Sequence, residues 1–165
     1  MFTFRLALAA LLAAALPALA QAQGVELKTV RYDQLIAAVK AQQGKVVVVD
    51  FWADYCVPCK REFPHLVELS QKYGGDGLVA ISVTLDDPTD DAAKGRALKF
   101  LQAQKATFTN YLLDEKPEGW QEKLKIDGPP LVVVFNRQGN KEKEFKDEVN
   151  YAEIEKLAVK LLKEK

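Results

Sequence analysis

Near-continuous apolar runs and apolar stripes at helical spacing alternate along this chain. Residues 46–51 (Val46-Val47-Val48-Val49-Asp50-Phe51), residues 78–84 and residues 131–135 are short, β-branched and almost wholly apolar. Such runs predict strands covered on both faces. Leu35, Ile36 and Val39 share one helical face and predict a helix over about residues 34–42, capped by Asp33 and ended by Gly44. A long helix is expected after Cys56, running to about Tyr73, where Gly74-Gly75-Asp76-Gly77 breaks it. Beyond the polar loop 86–91, Asp90 or Asp91 caps a helix to about Ala103. Residues 108–113 predict a short strand and residues 119–125 a short helix. Arg137-Gln138-Gly139-Asn140 predicts a hairpin turn into a charged edge strand, with residues 141–148 as its solvated border. Asn150 caps a last helix carrying Ile154, Leu157, Ala158 and Leu161. Strands alternating with helices, then a hairpin, predict an α/β fold with a central mixed β-sheet flanked by helices.

The first residues follow a different pattern. Arg5 precedes an apolar stretch over residues 6–20, broken only by Pro17. Ala18-Leu19-Ala20 and Ala20-Gln21-Ala22 both fit small-x-small cleavage. The stretch is shorter than the roughly 20 residues a membrane span needs. Residues 1–22 therefore read as a cleaved secretory signal peptide, and residues 23–165 as one domain, exported to the periplasm or its equivalent. The 23 basic and 23 acidic residues balance. They leave no basic face for nucleic acid and no membrane-surface helix in the mature part.

Export to an oxidising compartment gives the two cysteines their meaning. Cys56 and Cys59 are the only ones, and they follow the first buried run directly. A staple across so short a loop would remove little entropy from the unfolded chain. A domain this long can also bury an adequate core without staples. The pair is better explained by reactivity. At a helix N-terminus Cys56 meets unpaired N–H groups and the positive end of the dipole, which favour the attacking thiolate. Cys59, one turn on and less exposed, would resolve the mixed disulfide. Pro58 suits a first helical turn, and with Val57 it tunes the pair.

Asp50-Phe51-Trp52-Ala53-Asp54-Tyr55-Cys56-Val57-Pro58-Cys59-Lys60 resembles the active-site segment of thioredoxin, including the acid six residues before the first cysteine. Cys59-Lys60-Arg61-Glu62-Phe63-Pro64 resembles the C-x-x-E-x-P extension of the TlpA/ResA-like branch, which comprises exported thiol–disulfide oxidoreductases. Gly128-Pro129-Pro130 is similar to the cis-proline segment of that family. The resemblance covers nearly all of the mature chain and implies a thioredoxin-like fold. It departs at Tyr55, where tryptophan is usual, and at Leu131, where threonine is common. Both departures bear on substrate fit or redox poise.

The resemblance and the residues together set out a site. Burial should raise the pKa of Asp50 and make it a base for Cys59, the role the family gives its buried acid. Glu62, at i+3 from Cys59, should share its helix face and oppose thiolate formation. The resemblance implies that it takes part in the redox cycle. Pro130, as the cis residue, would bring the backbone of Pro129 against the sulfurs and offer an edge to an extended substrate. Trp52, Tyr55, Val57, Pro58, Pro129 and Pro130 form the expected client-facing surface, with Trp52 and Tyr55 as packing and rim residues. Pro64 is structural and kinks the helix.

The function this implies is reduction of disulfides in client proteins, an apocytochrome haem site among them. A membrane electron donor of thiol-reductase type would recharge a monomeric protein. No cofactor is implied. The alternative is a non-catalytic module of the same fold that binds a metal or a partner. His65, the only histidine, lies roughly 240° round the helix from Cys59. A structural zinc site needs four ligands, and Cys56, Cys59 and His65 make three. A haem-attachment motif would need histidine where Lys60 stands. Thiol peroxidase activity is disfavoured, because a dithiol fits protein disulfides better.

Overall fold

The apolar runs become the middle of one sheet. The computed structural model describes residues 24–164, so the expected signal peptide, residues 1–22, lies outside the described residues. The elements are β1 (Lys28–Val30), α1 (Tyr32–Lys40), β2 (Val46–Trp52), α2 (Val57–Tyr73), β3 (Leu78–Thr84), α3 (Asp91–Ala103), β4 (Thr109–Leu113), α4 (Pro117–Leu124), β5 (Leu131–Phe135), β6 (Lys141–Lys146) and α5 (Tyr151–Lys163). The strand order is β1-β4-β3-β2-β5-β6. The first four of these pair in parallel, and β5 and β6 join antiparallel. This is the mixed sheet flanked by helices that the sequence predicts.

Alternation along β2 divides the core in two. Val46, Val48 and Trp52 face α2, α3 and α5, packing with Phe63, Leu66, Leu101, Ile154 and Leu161. Val47, Val49 and Phe51 face the other way, toward Leu35 and Val39 of α1 and Trp120 of α4. All seven β2 residues are buried, as a central strand covered on both faces requires. By the same alternation Asp50 must point to the α2/α5 side, among apolar neighbours.

Several boundaries differ from expectation. The first helix begins at Tyr32, so Asp33 lies inside its first turn and cannot cap it. Asp33 pairs with the Arg31 guanidinium instead, while the Gln34 side chain accepts from the Arg31 N–H at 2.9 Å. That helix stops at Lys40, and Gly44, at φ +89°, turns the chain into β2. β1 has no counterpart in the sequence reading. It is three residues long and mostly open to solvent, too short to show a period. The fourth strand starts one residue late and the fourth helix two residues early. α2 continues through Pro64, which leaves the carbonyl of Lys60 without its usual helical donor. The capping residues Asp90 and Asn150 each accept two backbone N–H groups of the following turn.

Arg137, in the β5–β6 turn, ties three distant segments together. Its guanidinium donates to the carbonyl of Gly44 and to that of Leu162, both at 2.8 Å. Its own carbonyl accepts from Gly44 N–H at 2.7 Å. Arg137→Ala removes two charge-assisted bonds to carbonyls near the surface. It should lower unfolding free energy in urea by about 1–2 kcal/mol with no change in thiol chemistry.

Candidate active site

β2 delivers the chain to the site, and α2 receives it. After Trp52 the chain turns, Cys56 N–H donates to Ala53 O at 3.0 Å, and α2 begins at Val57. Cys56 is the N-cap of α2, in extended conformation. Its sulfur accepts from Cys59 N–H at 3.3 Å, taking one of the donors a helix start leaves unpaired. Pro58 in the first turn has no N–H to leave unsatisfied. Cys56 and Cys59 are joined as a disulfide, with an S–S distance of 1.96 Å and a Cα–Cα distance of 5.3 Å. The two residues are almost equally covered, at 6% and 4% exposure, so in this disulfide form they lack the expected difference in access.

Asp50 lines a cavity with Cys59. It is 3% exposed, and Tyr151 Oη donates to its Oδ2 at 2.7 Å. Burial pushes the Asp50 carboxyl up to about 7, against the opposing pull of the Tyr151 hydroxyl. Burial likewise holds the Tyr151 hydroxyl well above its ordinary range, helped by the Asp50 charge. The expected direction for Asp50 is therefore the one found. A cavity of about 170 Å³ brings Asp50 together with Cys59, Pro58, Glu62, Pro130 and Tyr151. The bond between Pro129 and Pro130 is cis, as the resemblance implies. Glu62 thus reaches the same cavity as Cys59, which its i+3 spacing predicts. Arg61 Nε donates to Glu62 Oε1 at 2.9 Å.

The client-facing set divides. Tyr55 and Val57, at 65% and 74% exposure, flank Cys56 as an apolar collar. Pro58 is exposed, and Pro129 and Pro130 are half-buried. Trp52 is the exception: it is fully buried, with ring centroids 5.4 Å from Phe63 and 5.0 Å from Phe100. It packs under the loop and cannot touch a client. A tryptophan at the end of a buried strand fills the core face before it reaches a rim.

The sequence reading missed two residues of the site. Tyr151 lies one position past the Asn150 cap, and with Ile154, Ala158 and Leu161 it continues the buried stripe of α5. A phenol on such a stripe needs a hydrogen-bond partner, which was the available signal. Asp54 carries no local signal of its role. Its carboxylate accepts from Lys60 Nζ at 3.0 Å and from Arg96 Nε at 2.7 Å. Burial works to raise its pKa, but these two cations outweigh it and hold the carboxyl below its usual range. His65 stands apart from the sulfurs, with Nδ1 3.4 Å from Glu68 and its ring centroid 5.7 Å from that of Tyr151.

Known proteins resemble this chain in sequence and fold. A 64-residue segment is 38% identical to a thioredoxin of Coprinus comatus, covering 38% of this chain and 60% of that one. A 46-residue segment is 41% identical to the thiol-disulfide oxidoreductase ResA of Halalkalibacterium halodurans, covering 28% and 26%. The chain thus spans less than two thirds of either relative. A solved structure from Chlorobium tepidum, assigned to the DsbE thiol:disulfide interchange proteins, superposes with a TM-score of 0.61 at 28% identity. That superposition covers 74% of this chain and 83% of the other. The thioredoxin-like family model matches residues 44–141, more than half of the chain and the part that holds β2, both cysteines and the cis-proline segment. On that match, and on the shared fold of the superposed structure, the chain belongs to the thioredoxin-like family.

Proposed function

We propose that this protein is an exported thiol–disulfide oxidoreductase that reduces disulfides of client proteins through Cys56 and Cys59. The carrying observation is the disulfide at the head of α2, opening onto a cavity with buried Asp50 in its wall. In the dithiol form the Cys56 thiolate attacks one sulfur of a client disulfide. A Cys56–client bond forms, and the other client sulfur leaves as thiolate and takes a proton. Cys59 then gives its proton to the Asp50 carboxylate and attacks Cys56 Sγ. The internal disulfide forms and the second client sulfur leaves, taking up a proton. The client gains two electrons and two protons, and the cysteine pair loses them.

The other residues take supporting parts. Tyr55 and Val57 supply apolar contact for the client segment, and Pro129-Pro130 supplies a backbone edge for it. Glu62, in the same cavity wall as Asp50 and Cys59, links the buried carboxyl to solvent. A cycle that consumes thiols needs a donor, and in an oxidising compartment a membrane protein of thiol-reductase type fits that need. Arg5 and the apolar stretch 6–20 support export, and among the described residues no helix is long and apolar enough to cross a membrane. We take the working unit as a monomer and an apocytochrome haem site as one client of suitable chemistry.

The test is stoichiometric. Reduced protein mixed with a disulfide-bonded peptide should lose two thiols for every peptide disulfide opened, and equilibration in glutathione buffers should give one reversible two-electron couple. A potential near that of thioredoxin, about −270 mV, supports the reductant direction. One near −120 mV, where strong oxidants lie, would reverse it. Failure to exchange thiols at all would overturn the activity.

A further inference from the structure

Asp54 is the hub of a charge cluster that the exchange steps above do not use. Lys60 of α2 donates from Nζ to Asp54 Oδ1 at 3.0 Å and to its carbonyl oxygen at 3.1 Å. Arg96 of α3 donates from Nε to Oδ2 at 2.7 Å. The Asp54 N–H points the other way, between the two carboxylate oxygens of Asp86 at 3.1 and 3.0 Å. Asp86 is 3% exposed and also accepts from the Thr84 hydroxyl. A residue two positions before Cys56 is therefore held from α2, from α3 and from the end of β3.

A lone ion pair at the surface contributes little. This one differs in two respects. The Asp54 side chain keeps only 15% of its exposure, so solvent screens it poorly. Its backbone N–H is also held by Asp86 and its two carboxylate oxygens by Lys60 and Arg96, so the residue is tied at both ends. Two cations and the carboxylates of Asp54 and Asp86 are thus gathered at the loop that leads into Cys56.

We propose that Asp54 is a positioning residue that sets the redox poise of the Cys56–Cys59 pair, its charge offsetting the Lys60 and Arg96 cations while it fixes the loop that carries Cys56. This rests on the oxidoreductase reading above. Positive charge near Cys56 stabilises the thiolate of the reduced form and makes the couple more oxidising, and negative charge does the reverse. The parts of the cluster therefore have opposite signs of effect.

The test measures the glutathione exchange equilibrium of the full protein and of two variants. Asp54→Asn keeps an oxygen for the cations but removes the negative charge. It should shift the equilibrium about three- to tenfold toward the dithiol form, with tenfold equal to about 30 mV. Arg96→Gln removes a cation and leaves Asp54 to Lys60. It should shift the equilibrium by a similar factor toward the disulfide form. Both shifts should shrink at high salt. Arg96 is more than half exposed, so its variant reads the field even where Asp54→Asn loosens the loop.

A cluster that served only as scaffolding would move both variants in the same direction. That result, or shifts below about twofold in both, would overturn the inference and leave the oxidoreductase reading standing. Absence of any reversible couple in the unaltered protein would overturn both.

Discussion

Replacing Cys56 with serine is expected to reduce disulfide exchange to the uncatalysed background, while Cys59→Ala turns the protein into a trap. The two outcomes differ because the cysteines stand at different points of one path. Cys56 caps α2, where the unpaired N–H groups favour its thiolate, and the exposed Tyr55 and Val57 flank it. Serine brings no sulfur to that position, and its hydroxyl is not ionised near neutral pH, so neither a mixed disulfide nor any substitute for it forms. Without Cys59 the first attack still proceeds, but nothing nearby releases the client. Incubated with a disulfide-bonded peptide, Cys59→Ala should accumulate one covalently attached peptide per protein at Cys56, detectable by mass and reversed by dithiothreitol. Attachment to Cys59 in a Cys56→Ala variant at an equal rate would show that the order of attack is wrong.

Asp50→Asn should make the protein more stable above neutral pH and slow its second chemical step. The folded carboxyl titrates at about 7 rather than 3.8, because burial disfavours its charge. The folded state therefore holds that proton more tightly than the unfolded chain does. Stability from this group is greatest below about pH 4, falls as pH rises through the window to about 7, and stays low above it. The full difference is on the order of 4 kcal/mol. Asparagine keeps an oxygen for the Tyr151 hydroxyl and carries no charge to desolvate. Urea unfolding at pH 8 should show the variant more stable by an amount of that order, and at pH 4 no gain. The same substitution removes the base that takes the Cys59 proton. Release of a peptide from Cys56 should then slow and lose its dependence on pH around 7. Equal gains in stability at both pH values would refute the titration, and an unchanged release rate would refute the role as base.

What could be read from the sequence follows from how local each signal is. The run through residues 46–51 names a buried central strand, because it is short, apolar throughout apart from Asp50, and built on four β-branched valines in a row. Asp90 and Asn150 can be read as caps because the bond each makes lies within three residues. The cysteine pair, Pro130 and Glu62 can be read through a motif, and Asp50 through its place at the end of an apolar run. The stripe of α5 marks Tyr151 as a buried phenol in need of a partner but does not say which, because that partner is 101 residues distant. Asp54 and Arg96, 42 residues apart, are hidden for the same reason. Trp52 lies away from the expected client-facing surface because a motif gives a residue's position along the chain and not the face to which alternation turns it. β1 leaves no trace in the sequence, since three residues at a sheet edge are too few to carry a period.

The sheet works as an insulating wall between two rooms. The sulfurs, Asp50, Tyr151 and the Glu62 cavity all lie on the α2/α5 side of it, and the α1/α4 core holds none of them. Packing changes confined to that second room, at Leu35, Val39 or Trp120, are separated from the sulfurs by a full layer of backbone. An engineer could retune thermal tolerance there, or place a spectroscopic reporter there, and leave the electron chemistry across the wall undisturbed.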